Sequence, residues 1–411
     1  MYDQYTLPNG LRIIAEKIPH FRSVSVGLWI GSGSQYETRQ QAGISHFIEH
    51  MLFKGTKKRS ARDIAEAMDA VGGQLNAFTS KECTCFYAKV VDEDLPLAMD
   101  VISDIVLHSL FSPQELEKEK GVIIEEISMA EDSPEDLVSE LIMVAQYGDQ
   151  PLARPILGTE ESVSALTRAK LIHYYKKFYR PENTVLALAG NYDWDAVLKL
   201  AEEYLGQWEP GEPSPSYRTK PAKPQIIRRV KDIEQLHLTV GYPGVSQDSD
   251  EIYPLSILNS VLGGAMSSRL FQSIREERGL AYTVYSYPAS YSDSGLFAVY
   301  AGTSIEHAPE VLKLIRQEIE RIVRDGLTRQ EFDQARAQLK GSYILGLEST
   351  SSRMNALGRR KLLLNAEQSE EEVIDKIDAI TYDQVFDLTR KLLSGKPSIS
   401  LVGKGAETIE V

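Results

Sequence analysis

Cysteine is scarce in this sequence, and long apolar runs are missing. Only two cysteines occur in 411 residues, Cys83 and Cys85, and on a strand their side chains point the same way, so they cannot readily form a disulfide with each other. This usage predicts a reducing, cytoplasmic setting. No segment reaches the roughly 18 to 20 apolar residues of a membrane span, and the first residues lack the pattern of a secretory signal. We therefore expect neither membrane insertion nor secretion.

Positive charge is in deficit. The chain carries 45 Lys and Arg against 59 Asp and Glu, a formal net charge of −14, whereas a nucleic-acid surface needs clustered positive charge. We therefore expect no nucleic-acid partner, while basic ligands remain compatible. Hydrophobic residues make up 42% and charged residues 25%, the balance of a globular protein, and the length is sufficient for two or three domains.

A proline-rich segment, EPGEPSPSYRTKPAKP at 209–224, divides the chain into two halves of similar length. It contains five prolines and no aliphatic residue larger than alanine, and proline propagates neither a helix nor a central strand. We predict an extended, stiff connector there. The predicted domains are therefore residues 1–208 and residues 225–411, joined by a linker at 209–224.

The two halves show the same order of patterns, which indicates an internal duplication. Each half has an alternating run, a helical stretch, a second alternating run, a long helix and then a Ser or Thr that caps a further helix. The alternating runs are SVSVGLWIG (23–31), CTCFYAKVV (83–91), QLHLTVGYP (235–243) and GLFAVYAG (295–302). This order predicts an α+β fold of two homologous α/β-sandwich (roll) domains, each a mostly antiparallel sheet covered by helices. The alternation itself is typical of a sheet with one face packed by helices.

The stretch GISHFIEHMLFKGT, residues 43–56, carries the strongest chemical signal. Its apolar residues recur at spacings of three and four, which predicts a helix. On that helix His46 and His50 share one face a turn apart, and the carboxylate of Glu49 lies beside them, where it can take a proton from a metal-bound water. The order HxxEH is the reverse of HExxH and is the inverzincin pattern. The alternative is a buried helix whose histidines are satisfied by hydrogen bonds, and the complete motif favours the metal site.

A catalytic zinc ion normally takes three protein ligands and keeps a fourth position for water. The other histidines, at 20, 108, 173, 237 and 307, form no similar pattern, so a carboxylate is the remaining option. The segment EKEKGVIIEEISMAED, residues 117–132, offers several. Glu119 and Glu126 are two helical turns apart and share a face, whereas Glu125 is rotated by about 100°. The residues alone leave these three open, and a solvated helix face is the alternative for each.

HFIEHMLFKGT, followed 76 residues after His50 by Glu126 within EKGVIIEE, resembles the pitrilysin family of zinc metallopeptidases over essentially the whole chain. The resemblance is nearest to the processing-peptidase branch, with its mitochondrial and bacterial members. It implies that His46, His50 and Glu126 bind one zinc ion per chain, that Glu49 is the general base and that Glu119 supports the ligands. The expected function is a zinc-dependent endopeptidase that cleaves extended peptides. The alternatives are a non-catalytic core-subunit-like scaffold and a peptide-binding protein of the same fold, and the intact set of five residues favours the enzyme.

The segment GGQLNAFTSKECTCFYAKV, residues 72–90, predicts two strands joined by a polar turn at 80–82. The family resemblance makes Asn76, Ala77, Phe78 and Thr79 an edge strand beside the zinc. An extended peptide can add to such an edge by main-chain hydrogen bonds, so these four residues are the predicted peptide-binding strand. An interior hairpin is the alternative that the residues alone leave open.

In the segment 263–286, Arg275 and Tyr282 are seven residues apart with Gly279 between them. The pair resembles the Arg and Tyr that family members bring to the zinc site from a remote domain, where they hold the substrate backbone and the oxyanion. A surface salt bridge is the alternative for Arg275. Full enzymes of the family have four similar domains, arranged as two facing halves around a chamber. This chain has two, so we expect a homodimer in which Arg275 and Tyr282 act on the opposite protomer's site.

Asp136 and Glu140 are four residues apart and share a helix face. They match acidic positions that resemble the processing peptidases' pocket for an arginine upstream of the cut, and two carboxylates pair well with a guanidinium. The expectation is a preference for a basic residue near the scissile bond. The alternative is a solvated acidic face.

Overall fold

The computed structural model describes residues 2–211 and 218–411. Their contacts divide the chain into two units that are both discontinuous. The first combines residues 2–127, 155–211 and 345–367, and the second combines residues 128–154, 218–344 and 368–411. A segment of each half thus belongs to the unit formed mainly by the other half, which the predicted ranges 1–208 and 225–411 do not anticipate. Those ranges stay a prediction, and residues 212–217 of the predicted linker lie outside the described residues.

Strands and helices are interleaved along the chain. The described strands are β1 Asp3–Thr6, β2 Arg12–Lys17, β3 Ser23–Ile30, β4 Gln74–Thr79, β5 Thr84–Val91, β6 Thr184–Gly190, β7 Ile226–Arg229, β8 Gln235–Pro243, β9 Ala281–Ser290, β10 Gly295–Ser304 and β11 Ser398–Val402. The described α-helices are α1 Ile44–Leu52, α2 Ala61–Asp69, α3 Leu95–His108, α4 Pro113–Asp132, α5 Pro134–Tyr147, α6 Glu160–Ser164, α7 Arg168–Phe178, α8 Trp194–Leu205, α9 Ile252–Asn259, α10 Ala308–Asp325, α11 Arg329–Gly346, α12 Thr350–Leu364, α13 Glu370–Asp378 and α14 Tyr382–Leu393. The four alternating runs of the sequence are β3, β5, β8 and β10, and the predicted motif helix is α1.

The first unit is built on a sheet whose described strands follow the order β1-β2-β6-β3-β5-β4. Only β2 and β6 pair in parallel within this sheet as described, and the other neighbours are antiparallel. The mostly antiparallel α+β fold is therefore confirmed. One face packs against α1 and α3 through apolar side chains such as Leu28, Phe47 and Ile102, which are almost completely buried. Removal of this apolar surface from water supplies the main driving force for the unit.

The opposite face of this sheet is covered by α12, which contacts β2, β3 and β6. The Ser25 and Thr350 hydroxyls are hydrogen-bonded at 2.9 Å. Gly27 leaves room for Met354, because a Cβ at this position would stand 2.6 Å from the methionine sulfur. The Trp29 indole donates a hydrogen bond to the same sulfur at 3.3 Å. The expectation that only one face of this sheet is packed is therefore wrong, since the small and polar positions of β3 face a helix from the other half of the chain.

The second unit follows a similar plan. Its described strands have the order β7-β11-β8-β10-β9, with β7 and β11 parallel and the other pairs antiparallel. Helices α9, α10 and α14 pack on one face. Helix α5 covers the other face, where the Ser400 hydroxyl donates to the Val138 carbonyl at 2.8 Å and Ile142 packs against Leu296. Each unit is thus a sheet held between helices.

No helix of the described residues combines the length and the apolar character needed to cross a bilayer. Cys83 and Cys85 are both free and buried, in the cluster beneath α12 that contains Trp29 and Met354. Burial raises the pKa of both thiols, so they are poor nucleophiles in the folded chain. The cytoplasmic location stays a prediction.

Candidate metal centre

Helix α1 presents the HxxEH side chains from a buried position. Its apolar face is fully buried in the core of the first unit and consists of Ile44, Phe47, Ile48, Met51 and Leu52. At its start Gly43 has φ +88°, where any other residue would be strained. The buried carboxylate of Glu37 accepts the amide hydrogens of Gly43 at 2.8 Å and Ser45 at 2.9 Å. Glu37 thereby satisfies two of the free N–H groups at the start of the helix and holds the motif in place. No pattern in the sequence indicates this role of Glu37.

Helix α4 turns one face toward the motif. Leu116, Glu119 and Ile123 are buried along it at spacings of three and four, and Glu126 follows three residues later on the same face. Glu125 is exposed. Of the three carboxylates that the sequence leaves open, Glu119 and Glu126 therefore reach the motif.

His46, His50 and Glu126 lie together. The two imidazole centroids are 4.5 Å apart, and Glu126 Oε2 lies 3.7 Å from His46 Nε2 and 3.6 Å from His50 Nε2. Ligand atoms around a tetrahedral zinc ion with bonds of about 2.0–2.1 Å are separated by roughly 3.3 Å, and two nitrogens with a carboxylate oxygen are a known catalytic donor set. The three side chains therefore fit a zinc ion, and they form the one group of this kind in the described part of the chain. Their role as ligands stays a prediction.

The surroundings of His46 argue against a histidine that is held only by hydrogen bonds. Its Nδ1 is buried and has no hydrogen-bond partner among the described residues, and the 3.7 Å from Nε2 to Glu126 exceeds a hydrogen bond. Burial, and then the charge of His50, lower the pKa of His46 to about 4. The ring is therefore neutral near pH 7, which is the form that binds a metal ion.

Glu119 lies behind His50. Its carboxylate is buried, and Oε2 is 3.1 Å from His50 Nδ1. Because an ionised carboxylate only accepts hydrogen bonds, this contact assigns the ring hydrogen to Nδ1 and leaves the Nε2 lone pair facing Glu126. The expected supporting position of Glu119 is thus matched by its geometry, while its function stays a prediction.

Glu49 is the buried carboxylate of the motif. Its Oε2 accepts a hydrogen bond from the Thr79 hydroxyl at 2.5 Å. Burial raises the pKa of Glu49, and the nearby charge of Glu126 adds to this, while the Thr79 hydrogen bond and His50 oppose it. A carboxylate with a raised pKa is suited to accept and return a proton near neutral pH. The sequence named Thr79 for peptide binding and missed this side-chain bond.

Strand β4, which carries Asn76, Ala77, Phe78 and Thr79, lies at an edge of the first unit's sheet. Among the described strands it pairs with β5 only, so the interior-hairpin alternative is wrong. The Asn76 side chain is exposed, and the other three are partly buried. The strand is therefore an edge strand next to the helix that carries Glu49, and the Ala77 amide on it donates to the Asn76 side chain at 2.8 Å.

Arg275 and Tyr282 lie together in the second unit. Arg275 lies in the last part of a π-helical turn, Phe271–Glu276, and its guanidinium carbon is 5.0 Å from the centre of the Tyr282 ring. Gly279 lies between them at φ +63°, as expected of a residue that ends a helix. The salt-bridge alternative has weak geometric support, since Arg275 Nε is 3.8 Å from Glu276. Tyr282 is 76% exposed, so the pair is available to a ligand.

Asp136 and Glu140 lie on α5 in the second unit. Asp136 is exposed and its amide donates to the Ser133 hydroxyl at 3.4 Å, which places it in the first turn of the helix. Glu140 is partly buried. The shared helix face is therefore present, and a role in recognising basic residues stays a prediction.

Zinc affinity tests the ligand assignment at α4. Glu126→Gln replaces the carboxylate oxygen by a weaker ligand, so we expect zinc affinity to fall by at least about 100-fold. Glu125→Gln is the matched control on the preceding residue, and its zinc affinity should equal that of the unmodified chain. Both are measured by competition with a chromophoric chelator. Equal affinities for the two variants would contradict the assignment.

Comparison with known sequences shows what the chain is similar to. Residues 12–160 match the family model described as Insulinase (Peptidase family M16), and residues 165–339 match the model described as Peptidase M16 inactive domain. The chain is 44% identical to an uncharacterized zinc protease of Bacillus subtilis, over 98% of both chains. It is 43% identical to an uncharacterized zinc protease of Streptomyces coelicolor, over 97% of this chain and 88% of the relative.

Solved structures of other proteins have the same fold as this chain. A peptidase M16 inactive domain from Pseudomonas fluorescens has a TM-score of 0.91 at 22% identity, covering 98% of both chains. A protease from Helicobacter pylori has a TM-score of 0.91 at 20% identity, covering 98% of this chain and 99% of its own. Identities this low show the fold alone, but the matches in sequence extend over nearly the whole chain. The chain therefore belongs to the pitrilysin family, peptidase family M16.

Proposed function

We propose that this chain is a zinc-dependent endopeptidase that cleaves extended peptides. The observation that carries the proposal is the buried carboxylate of Glu49 beside the His46, His50 and Glu126 side chains, whose spacing suits a zinc ion. The zinc-protease names of the relatives in Bacillus subtilis and Streptomyces coelicolor support it.

In the proposed mechanism, side chains of the first unit bind the metal ion, transfer the proton and hold these groups in position. His46, His50 and Glu126 would hold the zinc ion, which when bound activates water and polarises a carbonyl. Glu49 takes the proton from the attacking water and passes it to the leaving amine. The Thr79 hydroxyl holds the Glu49 carboxylate in one orientation through the 2.5 Å hydrogen bond. Glu119 fixes the ring of His50.

The substrate backbone is proposed to add to β4. An edge strand offers unpaired N–H and C=O groups, which bind an extended peptide with little regard to its side chains. Asn76, Ala77, Phe78 and Thr79 supply that edge, and Thr79 also reaches the proposed base. Binding and proton transfer would therefore take place side by side.

A homodimer that encloses a chamber is the proposed assembly. Arg275 and Tyr282 of one protomer would act at the zinc site of the other, with the tyrosine hydroxyl donating to the oxyanion and the guanidinium holding the peptide backbone. Support comes from the mutual stacking of the two side chains and the exposure of Tyr282. Asp136 and Glu140 would favour a basic residue near the cut, because carboxylates pair with a guanidinium. The protein would work in the cytoplasm, where its two buried thiols stay reduced.

The runner-up is a non-catalytic scaffold or a peptide-binding protein of the same fold. The description of the second family model as an inactive domain favours it for residues 165–339. The zinc motif lies outside that range, within residues 12–160, and it is intact. We therefore prefer the enzyme.

Removal of the base tests the chemistry. Glu49→Gln keeps the size of the side chain but cannot accept the proton, so we expect hydrolysis of a quenched fluorescent peptide to fall by about 10²–10⁴-fold with zinc content unchanged. Glu125→Gln should retain full activity. Chelator should abolish the activity of the unmodified chain, and added zinc should restore it. Cleavage that resists the chelator, or a fully active Glu49→Gln chain, would contradict the proposal.

The pH dependence of activity follows from the Thr79 hydrogen bond. This bond lowers the pKa of Glu49, so Thr79→Val removes it and raises that pKa further. Because the base must be ionised to accept a proton, the acidic limb of the kcat/KM profile should move to higher pH. Thr79→Ser keeps a hydroxyl and should keep the limb in place. Coincident limbs for Thr79→Val and the unmodified chain would rule out this role of Thr79.

Mixing two inactive chains tests the trans arrangement. One carries Glu49→Ala, and the other carries Arg275→Ala with Tyr282→Ala. If protomers exchange freely, half of the dimers are mixed and each has one complete site, so roughly a quarter of the normal activity should return. Each chain alone is the control. Continued inactivity of the mixture would show that the trans arrangement is wrong.

Paired peptides test the basic preference. A peptide with one arginine close to the scissile bond and its Arg-to-Ala twin should differ in kcat/KM, with the arginine peptide faster, because Asp136 and Glu140 stabilise the guanidinium. The difference should shrink in a chain that carries Asp136→Asn and Glu140→Gln, and it should shrink at high salt. Equal rates for the two peptides in the unmodified chain would contradict the preference.

A further inference from the structure

Lys54 is a charged residue of the metal centre to which the sequence assigned no role. It lies two residues beyond the end of α1, and its Nζ is 2.8 Å from Glu119 Oε1. The Lys54 side chain is 30% exposed and that of Glu119 only 5%. Lys54 follows His50 by four residues, so it lies on the same side of the continuing helical turn. This spacing is the signal by which the sequence could have pointed to Lys54.

The backbone around Lys54 is held firmly. The Lys54 amide donates to the Met51 carbonyl at 3.2 Å, which continues the last turn of α1. Gly55 then has φ +107°, and its carbonyl accepts the Leu110 amide at 3.1 Å. The Thr56 hydroxyl donates to a buried aspartate, Asp104, at 2.8 Å. These contacts fix the backbone at Lys54 and therefore the direction in which its side chain extends.

Each oxygen of the Glu119 carboxylate has its own partner. Oε1 meets the Lys54 ammonium at 2.8 Å, and Oε2 meets His50 Nδ1 at 3.1 Å. An ammonium group can only donate hydrogen bonds, so it holds Oε1 as an acceptor and turns Oε2 toward the imidazole. With both oxygens engaged, neither rotation nor displacement of the carboxylate is possible without the loss of a contact.

Formal charge gives Lys54 a second role. Three carboxylates, Glu49, Glu119 and Glu126, lie at the two imidazoles, and the ammonium of Lys54 contacts one of them, Glu119. The formal charges of these three carboxylates and of Lys54 sum to −2, which a divalent cation neutralises. Without Lys54 the buried Glu119 would carry an uncompensated charge, which a protein interior tolerates poorly.

We propose that Lys54 is a positioning residue of the metal centre, which acts on the zinc ion through Glu119 and His50. The ammonium orients Glu119, and Glu119 holds the His50 ring with Nε2 toward Glu126. The inference rests on the proposed zinc site and is independent of peptide hydrolysis. Supporting residues of this kind typically change metal affinity by about 10- to 100-fold when they are lost.

The test measures zinc affinity by competition with a chromophoric chelator. Lys54→Met should bind zinc about 10- to 100-fold more weakly than the unmodified chain, and Lys54→Arg should restore most of the affinity because it keeps a cationic donor. Lys58→Met is the matched control. Lys58 lies on the same loop as Lys54, is 57% exposed and pairs with Asp100 of α3 at 2.7 Å. The Lys58→Met chain should bind zinc normally. Full affinity of Lys54→Met, or equal losses in Lys54→Met and Lys58→Met, would overturn the proposal.

A double substitution keeps the test decisive if Lys54→Met folds poorly. Lys54→Met combined with Glu119→Gln leaves no buried charge alone. If Lys54 acts through Glu119, this chain should bind zinc no more weakly than Glu119→Gln alone, whereas additive losses would overturn the proposal. The cobalt(II) absorption spectrum should also change in Lys54→Met and stay normal in Lys58→Met. If the variants bind zinc in this pattern but the unmodified chain hydrolyses no peptide, the proposed function is wrong and the proposed role of Lys54 stands.

Discussion

The approach of one carboxylate oxygen to two imidazole nitrogens governs the site. Glu126 Oε2 stands 3.7 Å from His46 Nε2 and 3.6 Å from His50 Nε2. Neither separation is a hydrogen bond, so these side chains gain little from each other directly. A divalent ion at their centre would turn both approaches into coordinate bonds, which couples metal binding to the packing of α4 against α1.

Three contacts surround this arrangement and hold it rigid. Glu37 fixes the start of α1 through two backbone amides, and Lys54 fixes Glu119 behind His50 at the other end. Thr79 ties the proposed base to the edge strand. The helix is thus held at both ends and at the face that carries the proposed base. Such preorganisation is what a catalytic metal site requires.

The sequence predicted the elements better than their assembly. Periodicity was sufficient for α1, for the hairpin of β4 and β5 and for the runs of β8 and β10, because local burial patterns decide them. The choice of Glu126 over Glu125 depends on which face of α4 meets α1, and sequence alone leaves that open. Helix α12 packs on the first sheet through contacts with β2, β3 and β6, among them those of Met354 and Thr350 with β3, and no repeat in the sequence signals this packing. The role of Glu37 was missed because it joins residues of different local elements.

X-ray absorption at the zinc edge tests the central claim most directly. Coordination by His46, His50 and Glu126 predicts a first shell of nitrogen and oxygen only, at about 2.0–2.1 Å, with the outer-shell scattering of two imidazoles. Glu126→Gln should alter that shell, and Glu125→Gln should leave it unchanged. Sulfur at about 2.3 Å would place the metal at cysteine instead. A shell of water oxygens without imidazole scattering would show that the three side chains hold no ion.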